Sequence, residues 1–280
     1  MQIIKSSGER AQFDPQKIRA SIMRTGATEQ AADSVVAEVQ KRLHNGMTTA
    51  QIYKLVLEQL KKDKKCLACR YDLRSGLLRL GPAGFQFERY VAAILNAYGY
   101  DAHAPQEDYQ GACVPHEIDV VAQKDNRLIF IEAKFRNNFQ DVVNLKDVLA
   151  TWARFLDLVD GAAVGKCPHF DEAWIVTNAR FTTRASEYGI CKGIHMIGWN
   201  VPKERTFAQM VDNIGLYPVT VLDEITKSEI EKLSNNDLLL CRDLITVEPD
   251  ELSHKMDISE QRAMDIVKMC QEVVEIAPGV

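Results

Sequence analysis

In the segment HEIDVVAQKDNRLIFIEAKF, the side chains whose spacing lets them do chemistry together are Asp119, Glu132 and Lys134. Asp125-Asn126 suits a two-residue hairpin turn because both residue types tolerate positive φ, and folding there pairs Lys124 with Arg127. Carried outward, that register sets Asp119 directly across from Glu132 on one face, with β-carbons about 5 Å apart. Lys134, two residues beyond Glu132, points the same way. Two anions so opposed repel by roughly 3 kcal/mol at an effective dielectric near 20, so the pair calls for a cation between them. Carboxylate oxygens with a backbone carbonyl and waters suit octahedral Mg²⁺ or Mn²⁺ rather than zinc. A lysine beside such an ion holds a water for deprotonation or steadies charge developing on a phosphate. The plainer alternative is a solvated face of an amphipathic hairpin, and E-x-K in a strand does not decide between the two.

The elements around the hairpin add to the hydrolytic reading. In GPAGFQFERYVAAILNAYGY, Phe85, Val91, Ala92, Leu95 and Tyr98 form an apolar stripe at helical spacing, and Glu88 lies within it. A carboxylate on a buried face needs a partner, either a salt bridge or the site itself. The apolar runs EIDVVAQ, RLIFIEAKF, AWIVTN and IHMIGW are too short for helices. They alternate with helical patterns at 141–160 and 182–191, after a helix at 67–80, a Gly81-Pro82 break and a helix to Tyr98. That alternation predicts an α/β sheet domain over residues 66–215.

Residues 1–65 read differently. IIK and AQF flank a Ser7-Gly8 turn as a β-hairpin, and Asp14-Pro15 caps a first helix. A second helix follows Thr28 and stops at Asn45-Gly46, and a third starts at Thr48 or Thr49 and runs to KKDKK. Charge follows the same division. Residues 1–65 hold 12 Lys and Arg against 7 Asp and Glu, residues 66–215 hold 16 against 18, and residues 216–280 hold 6 against 14. The acidic tail, helical after Pro218, repels phosphate.

The chain of 280 residues is 46% hydrophobic and 26% charged, which excludes fibres and disordered tails. MQIIKSSGER places Lys5 and Arg10 where a secretory leader needs an apolar core, and no run approaches a membrane span, so a cytoplasmic protein with no membrane partner is expected. Seven cysteines fit a reducing compartment. Cys66 and Cys69 form a CxxC with no second pair, and the remaining five stand singly, so it reads as a helix face rather than zinc ligands. GAAVGKC at Gly161–Cys167 lacks the length and the hydroxyl of a Walker A loop.

From Gly84-Phe85-Gln86-Phe87-Glu88 through His116-Glu117-Ile118-Asp119 and Glu132-Ala133-Lys134 to Ala173–Asn178 and Ile197-Gly198-Trp199, the chain resembles the Mrr-like restriction endonucleases of the PD-(D/E)XK superfamily. The resemblance implies a restriction-endonuclease-like mixed sheet flanked by helices. In it Asp119, Glu132 and the Ala133 carbonyl ligate Mg²⁺ or Mn²⁺, Lys134 serves the attacking water, and Glu88 supports the site from its helix. Relatives carry a glutamine shortly after the lysine, for which Gln140 is the nearest candidate here.

Residues 3–62 resemble the ATP-cone, a regulatory nucleotide-binding domain, through Ile4-Lys5, Gly8, Phe13-Asp14, Lys17-Ile18, Thr48-Thr49 and Ile52. The resemblance assigns Lys5 and Lys17 to the phosphates of ATP or dATP, Asp14 and Thr49 to polar edges of the nucleotide, and Tyr53 to a place beside the base. Residues 216–280 are similar to helix-hairpin-helix modules, but Met256-Asp257 stands where such hairpins use glycine, and the charge is wrong for phosphate, which favours packing or oligomerisation.

The expectation is a metal-dependent endonuclease, acting on DNA before RNA and governed by adenine nucleotide, in an oligomer of identical chains. The alternative is a nucleotide-sensing, nucleic-acid-binding regulator or scaffold with a silent nuclease fold.

Overall fold

Four apolar runs of the sequence become neighbouring strands of one sheet, and a fifth strand of three residues closes its edge. The computed structural model describes residues 1–5, 8–81 and 87–275. The sheet order is His195–Ile197, Glu172–Thr177, Arg127–Lys134, Val120–Lys124 and Asp101–His103. The first three strands run parallel and the last two pair antiparallel. Asp125 and Asn126 turn the hairpin with φ of 51° and 60°, and the register runs from Lys124↔Arg127 to Val120↔Ile131. The fold is mixed α/β, as expected from the alternation of short runs and helices.

Alternation along the strands gives each face of the sheet its own helices. Val121, Phe130, Ala173 and Ile175 share a buried cluster with Val148, Phe155 and Leu158 of the Leu145–Ala163 helix and Ala185 of the Thr183–Cys191 helix. Ile129 and Ile131 point to the other face, where the Phe87–Ala97 helix packs by Tyr90, Val91, Ile94 and Leu95. The longer helix starts on an Asn144–Asp147 capping box and buries Val148, Thr151, Phe155 and Leu158 at three- and four-residue steps. The Gly81-Pro82 break and Gly84-Phe85-Gln86 fall outside the described residues, apart from Gly81 itself.

Residues Phe85–Val211 form one compact unit, and Met1–Gly84 with Asp212–Val280 form a second. In the second, Gln2–Ile4 pairs antiparallel with Arg10–Gln12, Ser7 of the expected turn lying outside the described residues. Asp14 caps Pro15–Met23 by accepting from the Gln16 amide at 3.0 Å, and Thr28 and Thr48 cap Glu29–Arg42 and Thr49–Asp63. The single helix expected over 67–80 is two, Lys65–Tyr71 and Leu73–Leu80. The break falls at Asp72, whose carboxylate accepts from the Tyr53 hydroxyl and faces Arg79 at 3.7 Å, contacts that propensity does not register.

Arg70 on the first of these helices is completely buried. It donates to the carbonyls of Val273 at 2.7 Å and Thr25 at 2.9 Å and lies 5.1 Å above the Tyr217 ring. Asp212, also buried, accepts from Arg24 and from the Tyr217 hydroxyl at 2.6 Å. The carboxyl-terminal helices Lys227–Asn235, Cys241–Ile245, Pro249–Met256 and Glu260–Glu275 complete this unit. Asp257, with φ of 48°, turns the chain where a glycine was looked for, because aspartate is among the few residues that enter the left-handed region. Among the described residues, no helix is long and apolar enough to cross a membrane.

Candidate metal centre and nucleotide module

The centre is built at the end of the hairpin. Asp119 sits one residue before the Val120–Lys124 strand, so the observed register carries it across from Glu132. Its carboxylate accepts from the Ala133 amide at 2.7 Å. The amide and carbonyl of one strand residue face the same edge, so the Ala133 carbonyl lies on the Asp119 side. The Lys134 carbonyl faces the opposite neighbour and accepts from the Thr177 hydroxyl at 2.6 Å. Glu132 is 2% exposed, with one carboxylate oxygen on the Lys134 ammonium and the other on the Arg154 guanidinium. Burial, and then the neighbouring Glu132, push the Asp119 carboxyl up to about 6.

This arrangement departs from the expectation that the opposed acids call for a cation between them. The repulsion between opposed acids does not by itself require a metal, because Lys134 and Arg154 already screen Glu132. Arg154 was not foreseen. Its signal lay in the helical pattern, where it stands three residues after Thr151 and four before Leu158, yet its meeting with Glu132 depends on how the helix crosses the sheet.

Two supports flank the centre. Asn178 accepts from the Arg136 amide at 2.8 Å and donates to its carbonyl at 2.9 Å, while the Arg136 guanidinium pairs with Asp147 at 2.9 Å. Gln140 is exposed in the turn that follows. On the other side, Asp157 accepts from His116 at 2.8 Å and from the Cys113 amide at 2.9 Å, pinning the loop that leads into Asp119. Its carboxyl is pulled down to about 2, chiefly by His116. Gly111 permits this closure, since a β-carbon there would collide with the Asp157 carboxylate. Glu88 is half-buried in the first turn of its helix and makes no hydrogen bond or ion pair with a described residue.

Among the described residues, no three His, Cys, Asp or Glu side chains gather as a metal cage. The donor set at the hairpin is instead two carboxylates and one carbonyl, hard oxygens that fit Mg²⁺ or Mn²⁺ completed by water.

In the other unit, Lys5 pairs with Glu9 at 3.0 Å and Lys17 lies 3.9 Å from Asp14. Ile4 bridges to Thr48, which sets the first strand beside the start of the Thr49–Asp63 helix. Lys5 and Thr49 are thereby brought into one neighbourhood. Tyr53 turns to the protein, stacking on Tyr71 at 5.2 Å and donating to Asp72, and burial beside that carboxylate raises its phenol strongly. Cys66 and Cys69 are free thiols, with burial pushing Cys69 up to about 12.

The chain matches the ATP cone domain family over residues 1–73, the restriction endonuclease family over 82–198 and the AF1548-like C-terminal family over 217–274. It is 32% identical over 184 residues to an uncharacterized protein of Archaeoglobus fulgidus, an alignment spanning 66% of this chain and 99% of that one. The crystal structure of a protein of unknown function, AF1548, superposes with a TM-score of 0.55 at 31% identity, covering 71% of this chain and 98% of the other.

Proposed function

Because this chain belongs to the family of the Archaeoglobus fulgidus protein, as an ATP cone joined to a restriction-endonuclease domain and an AF1548-like C-terminal region, we propose that it is a metal-dependent endonuclease that hydrolyses phosphodiesters under adenine-nucleotide control. The observation that carries the reading is the juxtaposition of Asp119, Glu132 and Lys134 at the hairpin end, with Asp119 bound to the Ala133 amide. Asp119, Glu132 and the Ala133 carbonyl hold the ion. A bound Mg²⁺ or Mn²⁺ polarises the phosphate and lowers the pKa of a water. Lys134 orients that water and stabilises the charge that develops on the phosphate, and Glu88 steadies the site from its helix. DNA is the favoured substrate over RNA.

The cone supplies regulation. Lys5 and Lys17 take the phosphates of ATP or dATP and Asp14 and Thr49 its polar edges, whereas Tyr53, the sequence's candidate for the side of the base, is already taken up by Tyr71 and Asp72. Nucleotide changes the association of identical chains and, with it, the rate of cleavage.

The test is incubation of plasmid and single-stranded DNA with Mg²⁺ or Mn²⁺, with and without ATP, beside Lys134→Ala. The variant is expected to lose about 10²-fold or more in rate. Equal cleavage by both proteins overturns the assignment. DNA binding with no cleavage by either favours the silent regulator instead. Identical sedimentation and activity with and without ATP remove the regulatory half.

A further inference from the structure

Both oxygens of the acid assigned to the metal are already taken. Lys134 holds one and Arg154 the other, and Glu132 has almost no exposure to water. Arg154 reaches it from the Leu145–Ala163 helix with its guanidinium 5.7 Å from the Phe130 ring, and about a quarter of its side chain remains exposed. A guanidinium keeps its charge at any pH that proteins tolerate, so Arg154 releases Glu132 only by moving.

Formal charge bears on where a displaced Arg154 would go. Asp119, Glu132, Lys134 and Arg154 balance to zero when all are ionised, and a divalent ion leaves the cluster at +2 with a displaced guanidinium beside it. The anion that the reaction itself brings is a phosphodiester, and the planar fork of arginine matches two phosphate oxygens where an ammonium offers only a point charge. We propose that Arg154 is a substrate-binding residue held in reserve: it occupies Glu132 in the metal-free protein, is displaced by the divalent ion, and then clamps the scissile phosphate, so that metal and nucleic acid bind cooperatively. This deepens the nuclease reading and rests on it.

The experiment is calorimetric titration of Mn²⁺ into the full chain, alone and with a duplex whose phosphorothioate backbone resists hydrolysis. Without duplex, Arg154→Met and Arg154→Gln are expected to bind Mn²⁺ about tenfold more tightly than the wild type, since a competitor for Glu132 is gone. With duplex, the wild type gains Mn²⁺ affinity by a factor within the usual coupling range of about 5 to 150, and both variants lose most of that gain. Arg154→Lys keeps the competition at Glu132 but recovers only part of the coupling. Folding is checked by metal-free melting, and two replacements of different polarity guard against one that fails to fold. Glu132→Gln separates the two levels of the argument. If it abolishes Mn²⁺ binding while neither Arg154 variant binds more tightly, Arg154 is a structural ion-pair partner and the inference falls alone. If the wild type and Glu132→Gln bind Mn²⁺ equally, the metal centre itself falls.

Discussion

Glu132 and Asp212 are equally hidden from water, at 2% and 1% exposure, yet their surroundings differ in kind. Around Asp212 every strong donor is answered. Arg24 and Tyr217 converge on it and Arg70 spends its fork on the Val273 and Thr25 carbonyls. Around Glu132 two cations meet it, but Asp119 stands opposite with its carboxyl pushed up to about 6. The first cluster is closed and holds helices together. The second gathers two acids and two cations at the end of one hairpin, with the Asp119 carboxyl pushed up, an arrangement that helix or sheet packing does not need.

The largest break in this comparison is Arg70→Met. Its side chain is wholly buried, and the replacement strands two short carbonyl contacts in the interior, so unfolding free energy is expected to fall by about 3–5 kcal/mol in urea titration. The opposite sign is expected for Asp119→Asn in the metal-free protein at neutral pH. The amide keeps an acceptor for Ala133 and removes one of two opposed charges, which raises stability by about 1 kcal/mol. The same variant loses the stabilisation that Mn²⁺ gives the wild type, about 2.7 kcal/mol at a hundred times the dissociation constant. If Asp119→Asn unfolds as easily as Arg70→Met, the hairpin acids are structural and the contrast dissolves.

The hairpin half of this contrast was legible in the sequence and the rest was not. Asp119, Glu132 and Lys134 could be aligned because strand periodicity is two and Asp125-Asn126 fixes a two-residue turn, so a register follows by arithmetic. Arg154 and Arg70 carry no such rule. Each meets its partner through tertiary packing, Arg154 on Glu132 22 residues away and Arg70 on Val273 203 residues away. The interruption at Asp72 was hidden because Arg70, Leu73 and Arg74 around it are good helix formers, while its contacts come from Tyr53 and Arg79. The Asp101–His103 edge strand is three residues long, too short for alternation to register.

The smallest effect tests whether opposite environments inside one unit are told apart by acid. Asp157 lies on the same helix as Arg154, but donors surround it: His116 at 2.8 Å and the amides of Cys113 and Val114. Its carboxyl is pulled down to about 2, against about 3.9 for an unfolded aspartate. A depressed acid stabilises the fold above the unfolded value and surrenders that contribution as pH falls toward the folded one. The stability difference between wild type and Asp157→Asn is therefore expected to close as pH falls from about 4 to about 2, since asparagine does not titrate. Asp119 has the reverse sign, so its charge stops opposing the fold as pH falls through about 6. Paired urea titrations across both windows separate the two acids. A gap for Asp157→Asn that persists unchanged to pH 2 places its effect in packing against Gly111 rather than in charge, and the loop before Asp119 is then held by shape alone.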